Sequence, residues 1–133
     1  MGTTRSRAAL SAAVVFLAAC GATQTSKLEP CDAVDAIAAQ ASEKAKTCLS
    51  GDAGFRLNFA SRAQCEAGQS KCTQGDKDAL NAGVDCAKKF PSCDSADGGV
   101  LKWSLDFGFG CLFGVSLASD SCKAAFSVAK DGG

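Results

Sequence analysis

Nine cysteines in 133 residues constrain this fold more than any other feature. Such a density in a small exported chain marks a disulfide scaffold. The cysteines stand at 20, 31, 48, 65, 72, 86, 93, 111 and 122. Zinc sites usually pair cysteines with roughly two to four residues between them, often with histidine. Here the closest pairs, Cys65/Cys72 and Cys86/Cys93, have six residues between them, and the chain has no histidine. A Cys-x-x-Cys redox motif and a Cys-x-x-Cys-His haem attachment are missing for the same reason. No metal ligand is assigned and no dissociable cofactor is expected.

Export is written in the first residues. Met1 to Arg7 is short, polar and positive through Arg5 and Arg7, and Ala8 to Leu17 is apolar apart from Ser11. That order is a secretory n-region followed by an h-region. A permanent span needs about 20 apolar residues, more than this run offers. Leu17-Ala18-Ala19-Cys20 then resembles the lipobox of bacterial lipoproteins. The resemblance implies a signal peptide over residues 1–19, cleavage before Cys20, a diacylglyceryl group on the Cys20 thiol and acylation of the new amine. One acyl chain holds a protein marginally, whereas two or more anchor it stably. Gly21 stands where some bacteria use Asp to retain a lipoprotein in the inner membrane. The expected location is therefore the cell envelope, at the outer membrane of a Gram-negative bacterium. An odd cysteine in an exported chain needs an explanation. With Cys20 consumed by lipid, Cys31, Cys48, Cys65, Cys72, Cys86, Cys93, Cys111 and Cys122 can form four bridges.

After Cys20, 12 basic residues face 14 acidic ones, a net charge of −2. This balance gives no case for nucleic acid as a partner, and the membrane is reached through the lipid. Residues 20–29 are polar and aperiodic and read as a lipidated tether. Residues 30–133 form the cysteine-rich helical domain.

Pro30 suits the first turn of a helix. Cys31, Val34, Ala38, Ala41, Ala45 and Cys48 follow in steps of three and four, predicting a helix over 30–49 that Ser50-Gly51 ends. Phe55 and Phe59 precede Ser61-Arg62-Ala63-Gln64, a capping-box pattern that starts a short helix near Ser61, or alternatively upstream near Asp52, and Gly68 ends it. Thr73-Gln74-Gly75-Asp76 opens a helix over roughly 74–89, which Pro91 stops. Residues 94–100 read as a loop. Residues 101–118 carry two patterns at once. Leu101, Trp103, Leu105, Phe107 and Phe109 alternate like a strand, while Trp103, Phe107, Cys111 and Val115 share a helical face. The helices elsewhere favour helix here, despite Gly108, Gly110 and Gly114. A last short helix follows Ser119-Asp120 with Cys122 and Phe126, and Gly132-Gly133 ends frayed. The expected fold is all-α, a small bundle of about four helices cross-linked by four disulfides.

Eight cysteines allow 105 pairings, and spacing removes only some. Cys31 and Cys48 on one helix stand about 25 Å apart, far beyond the roughly 7 Å that a disulfide spans. Cys72 and Cys86 are excluded in the same way. Cys65–Cys72 or Cys86–Cys93 could close a local loop.

Without histidine, Ser-His and Cys-His nucleophile pairs are excluded. No phosphate-binding glycine fingerprint is present. Asp32, Asp35, Asp76, Asp78 and Asp85 fall at caps or on polar helix faces and are expected to be solvated. Asp106, inside the apolar stretch, is also expected to face water. Lys88-Lys89 suits the basic end of a helix. The domain is similar to small cysteine-rich secreted proteins of myxobacteria in its eight-cysteine spacing along helices, most closely over Asp76 to Cys86 and Phe90-Pro91-Ser92-Cys93. No activity comes with that resemblance. It lacks the Cys-Cys and Cys-x-Cys steps of plant lipid-transfer proteins. No catalytic residue is assigned. The expected function is a lipid-anchored, non-enzymatic structural or binding module. The rivals are a carrier of lipid or a small apolar ligand lined by residues 101–117, and a hydrolase using carboxylates alone. The large side chains of 101–117 are expected to fill the core of an alanine-rich bundle.

Overall fold

A computed structural model describes residues 27–49 and 54–128 of the chain. The signal peptide over 1–19, Cys20, most of the 20–29 tether, the stop at Ser50-Gly51 and the Gly132-Gly133 end lie outside the described residues. Those residues form an all-α domain closed by four disulfides.

Helix α1 runs Pro30–Ala45 and tightens into a 3-10 turn over Lys46–Cys48. An extended arm, residues 54–60, follows. It turns Phe55, Leu57 and Phe59 toward the core while the residues between them face solvent. That settles the start of the second helix, since the arm occupies the stretch that an upstream start would need. Helix α2 is Arg62–Gly68, and Ser61 caps it by accepting from the Gln64 backbone N–H at 3.3 Å. The capping box is not completed, because the Gln64 side chain donates to the Ser127 carbonyl instead.

Helix α3 is Gln74–Lys89 with a full capping box between Thr73 and Asp76. It stops where Phe90, extended ahead of Pro91, can no longer be helical. Lys44 of α1 donates to the Lys88 and Phe90 carbonyls and so satisfies groups at that helix end. The 94–100 loop contains a 3-10 turn over Ser95–Asp97, and α4 begins slightly earlier than expected, at Gly99. Gly98 precedes it with φ +94°, a left-handed geometry that favours glycine.

Residues 99–116 are continuous helix. Helix α4 (Gly99–Phe107) passes through a π-helical turn over Gly108–Leu112 into α5 (Phe113–Ser116). Helix α6 is Asp120–Phe126, capped by Ser119.

The core lies between α1, α3 and the α4–α5 helix. Ile37, Leu80, Val84 and Phe107 are fully or almost fully buried. At Gly83 a Cβ would stand 2.8 Å from Val115 and 3.1 Å from Ile37. Glycine there lets three helices approach more closely than any side chain would allow. Phe55, Phe90, Trp103 and Phe107 stack and meet edge to face with centroids 5.1–5.8 Å apart. Each such pair contributes roughly 0.5–1.5 kcal/mol beyond burial.

The bridges are Cys31–Cys65, Cys48–Cys93, Cys72–Cys122 and Cys86–Cys111. They join α1 to α2, the end of α1 to the segment after α3, the turn before α3 to α6, and α3 to the π turn. Neither local closure is used. Cys65 faces α1 and Cys72 faces α6, so sequence neighbours point at different elements. The bridged residues are 25 to 50 apart in sequence. Loops of that size correspond to roughly 3–5 kcal/mol each if they act independently through chain entropy.

Asp76 corrects the expectation of a solvated surface acid. It is 5% exposed. One carboxylate oxygen accepts from the Ser119 N–H at 2.8 Å, the other from the Ser119 hydroxyl at 2.7 Å and the Thr73 N–H at 2.8 Å. The sequence pattern revealed the local cap but not α6 folding back over it. Asp32 and Asp35 are water-facing as expected, and they share Arg62 with Glu66. Asp78 is likewise exposed and pairs with Lys27, while Asp85 is exposed.

Alkylation of the unfolded but unreduced protein should therefore add no mass to the eight cysteines, and a non-reducing peptide map should recover these four pairs. A recovered Cys65–Cys72 or Cys86–Cys93 peptide would contradict the fold. Asp76 supplies a second prediction. The Ser119 hydrogen bonds lower its pKa from an ordinary 3.8 to about 2. The depressed value stabilises the fold fully above the unfolded pKa, and that stabilisation is lost as pH falls toward 2. Asp76→Asn should cost about 2 kcal/mol at neutral pH. It should also flatten the acid limb of stability between about pH 5 and pH 2, measured by denaturant unfolding across pH.

Candidate functional site

The α4–α5 helix is apolar on two faces. Trp103, Phe107, Cys111 and Val115, four residues apart, point inward and are nearly fully buried. The Trp103 indole N–H donates to the Pro91 carbonyl at 2.8 Å. Cys111 fixes the helix to α3 through Cys86. Leu101, Leu105, Phe109, Phe113 and Leu117, also four apart but shifted by two positions, point outward and remain 54–76% exposed. The expectation that this stretch fills the core therefore holds for one face and fails for the other. The strand-like alternation comes from these two interleaved rows. A two-residue shift turns a helix by about 200°, to nearly the opposite side.

Beside the outer row runs a shallow, open, apolar groove of about 350 Å³, lined by Ser104, Leu105, Gly108, Phe109, Leu112, Phe113 and Ser116. The π turn forms its floor, and a Cβ at Gly108 or Gly114 would meet nothing within 4 Å. π turns frequently occur at functional sites, and exposed apolar patches rimmed by polar groups mark surfaces for partners or membranes. This row and groove are the candidate site. Residues 101–117 were singled out in sequence as apolar, but their division into two rows required knowing which face packs inward.

Two other clusters bring charged or ligand-type groups together. Asp94, Asp97, Lys102 and Asp106 line a cleft of about 300 Å³ together with Phe90 and Trp103. Asp106 faces water there, as expected, and its carboxylate meets the Lys102 ammonium at 2.7 Å. That hydrogen bond and the charges of Asp106 and Asp97 raise the lysine pKa. Cys72, Asp76 and Cys122 hold ligand-type atoms within 4.8 Å of one another. Both sulfurs are bonded to each other and the carboxylate is engaged by Ser119 and Thr73, so these groups are already committed. Among the described residues, no helix is long and apolar enough to cross a membrane.

The two faces should respond differently to truncation. Phe107→Ala should cost about 3–5 kcal/mol, whereas Phe109→Ala should change stability by less than about 0.5 kcal/mol. Trp103 should emit at short wavelength and resist aqueous quenchers. Equal costs at the two positions, read from denaturant melts, would mean that the inward face is misassigned.

Comparisons with protein-family models, curated proteins and solved structures find no match to this chain.

Proposed function

We propose that this chain is a lipid-anchored protein of the bacterial cell envelope, held through Cys20 at the outer membrane and acting as a non-enzymatic binding module. Its working surface is the outer row from Leu101 to Leu117. The observation that carries this reading is the exposed row itself, five large apolar side chains displayed by a helix whose other face is locked into the core. A monomeric domain rarely leaves such a patch uncovered without a use for it. The export pattern of residues 1–20 supports the anchor, and the eight-cysteine helical spacing resembles that of small cysteine-rich secreted proteins of myxobacteria.

The carrier reading asks for an enclosed apolar cavity. The groove is open along the helix, which favours a surface over a container. A carboxylate-only hydrolase asks for two free acids facing one another across a cleft. In the acidic cleft Asp106 is already engaged by Lys102, which favours a structural role for that pair.

The anchor is tested by expressing the full chain with Cys20→Ser. The wild type should partition into detergent and carry acyl mass on the peptide beginning at Cys20. Cys20→Ser should lose both, and inhibition of the lipoprotein signal peptidase should make the diacylglyceryl-modified precursor accumulate. Detergent partitioning of Cys20→Ser equal to that of the wild type would refute the lipid attachment.

A further inference from the structure

We propose that the outer row of the α4–α5 helix rests on the lipid bilayer itself, so that the domain lies against the membrane with Leu101, Leu105, Phe109, Phe113 and Leu117 in the acyl-headgroup boundary. This rests on the anchor reading above for where the membrane stands.

The chemistry of the face selects hydrocarbon over a protein partner. From residue 107 through residue 119 there is no charged side chain. The serines beside the row offer little to a partner. Ser104 donates its hydroxyl to the Leu101 carbonyl at 2.8 Å, and Ser116 donates to the Phe113 carbonyl. A helical serine bonded back to its own turn is satisfied without solvent, which a hydrocarbon environment requires. A protein interface would carry roughly one hydrogen bond per 100–200 Å², and its hot spots would come mostly from Trp, Tyr and Arg, with Leu under-represented. The outer row consists only of leucine and phenylalanine. The nearest charges pair with each other at its edges, Lys102 with Asp106 and Lys123 with Asp120.

The geometry lets the bilayer reach this face. Seven residue steps separate Cys20 from Lys27, a span of at most about 25 Å. Leu28 is docked on α3, where its backbone N–H donates to the Asn81 side chain and its carbonyl accepts from it. Asn81 and Cys86, where the α4–α5 helix is bridged, lie about 140° apart around α3. The outer row lies on the side of the α4–α5 helix turned away from α3. The tether must therefore pass two helices of roughly 10–12 Å diameter each, a distance that its full extension spans. A tethered surface meets its target at high effective concentration, so a row of five side chains suffices where a free domain would bind weakly. Among the described residues no unpaired basic cluster flanks the row, so contact should depend on apolar burial and not on anionic lipid.

The test uses the full lipidated chain carrying Phe109→Trp, reconstituted in phosphatidylcholine vesicles with or without brominated acyl chains. Trp103 stays in place as an internal reference, buried on the opposite face. Bromolipid should remove about half of the Phe109→Trp emission, the share of the new indole, and leave the unsubstituted protein nearly unchanged. Adding Leu105→Asp and Phe113→Asp should abolish the quenching, while anionic lipid or salt should not alter it. A vesicle-bound, acyl-bearing Phe109→Trp protein that bromolipid does not quench overturns the proposal and leaves the anchor standing. A chain without acyl mass that is still quenched removes the anchor and leaves the bilayer contact. Short-wavelength emission without bromolipid quenching also overturns it, in favour of a protein partner or a second copy on this face.

Discussion

Four covalent links between elements distant in sequence hold together a core poor in large side chains. Alanines at 33, 41, 45 and 87 are fully buried, and each contributes little apolar area compared with leucine or phenylalanine. The bundle offsets this in two ways. The Phe55, Phe90, Trp103 and Phe107 cluster concentrates aromatic area at one end, and the bridges restrict the unfolded chain where burial is thin. Cys72–Cys122 and Cys31–Cys65 secure α2 and α6, two helices of seven residues that would not be stable alone.

Asp76 shows the same economy in polar form. A single buried carboxylate closes the first turn of α3 and, through Ser119, positions the residue that caps α6. Two helix starts thus share one acid through a contact between residues 43 apart in sequence, beside the disulfide that joins the same two regions. Each donor to a buried carboxylate favours its charged form, and at Asp76 the largest contributions come from Ser119. The ordering of α6 and the ionisation of Asp76 are therefore coupled.

Much of this was legible because the signals were local. Pro30, the steps of three and four through Ala45, the Thr73-to-Asp76 cap and Pro91 each act within one or two turns, and the helices begin and end near them. The signals that failed were those whose partners are remote. Thr73-Gln74-Gly75-Asp76 reads as an exposed cap until Ser119 is folded onto it. Cys65 and Cys72 look like a loop closure until α2 is seen to place them toward different neighbours. The 54–60 arm has a period of two and belongs to no sheet. Its Phe55 and Phe59 pack on Trp103 and Phe126, which no spacing rule within the arm can reveal.

The candidate site was half legible for a similar reason. Composition marked 101–117 as the most apolar stretch after Cys20, but both rows have the same four-residue period and comparable apolar character. Burial alone gives Leu101, Leu105, Phe109, Phe113 and Leu117 nearly as strong a claim on the core as Trp103, Phe107, Cys111 and Val115. Directional bonds decide between them. The inner row holds a sulfur that pairs with Cys86 and an indole N–H that finds the Pro91 carbonyl. A rotation of the helix by half a turn would break the disulfide geometry and leave the indole to find another acceptor. Two specific bonds thus choose which apolar face is core, and by the same choice they leave the other outside, where its neighbouring hydroxyls are already satisfied.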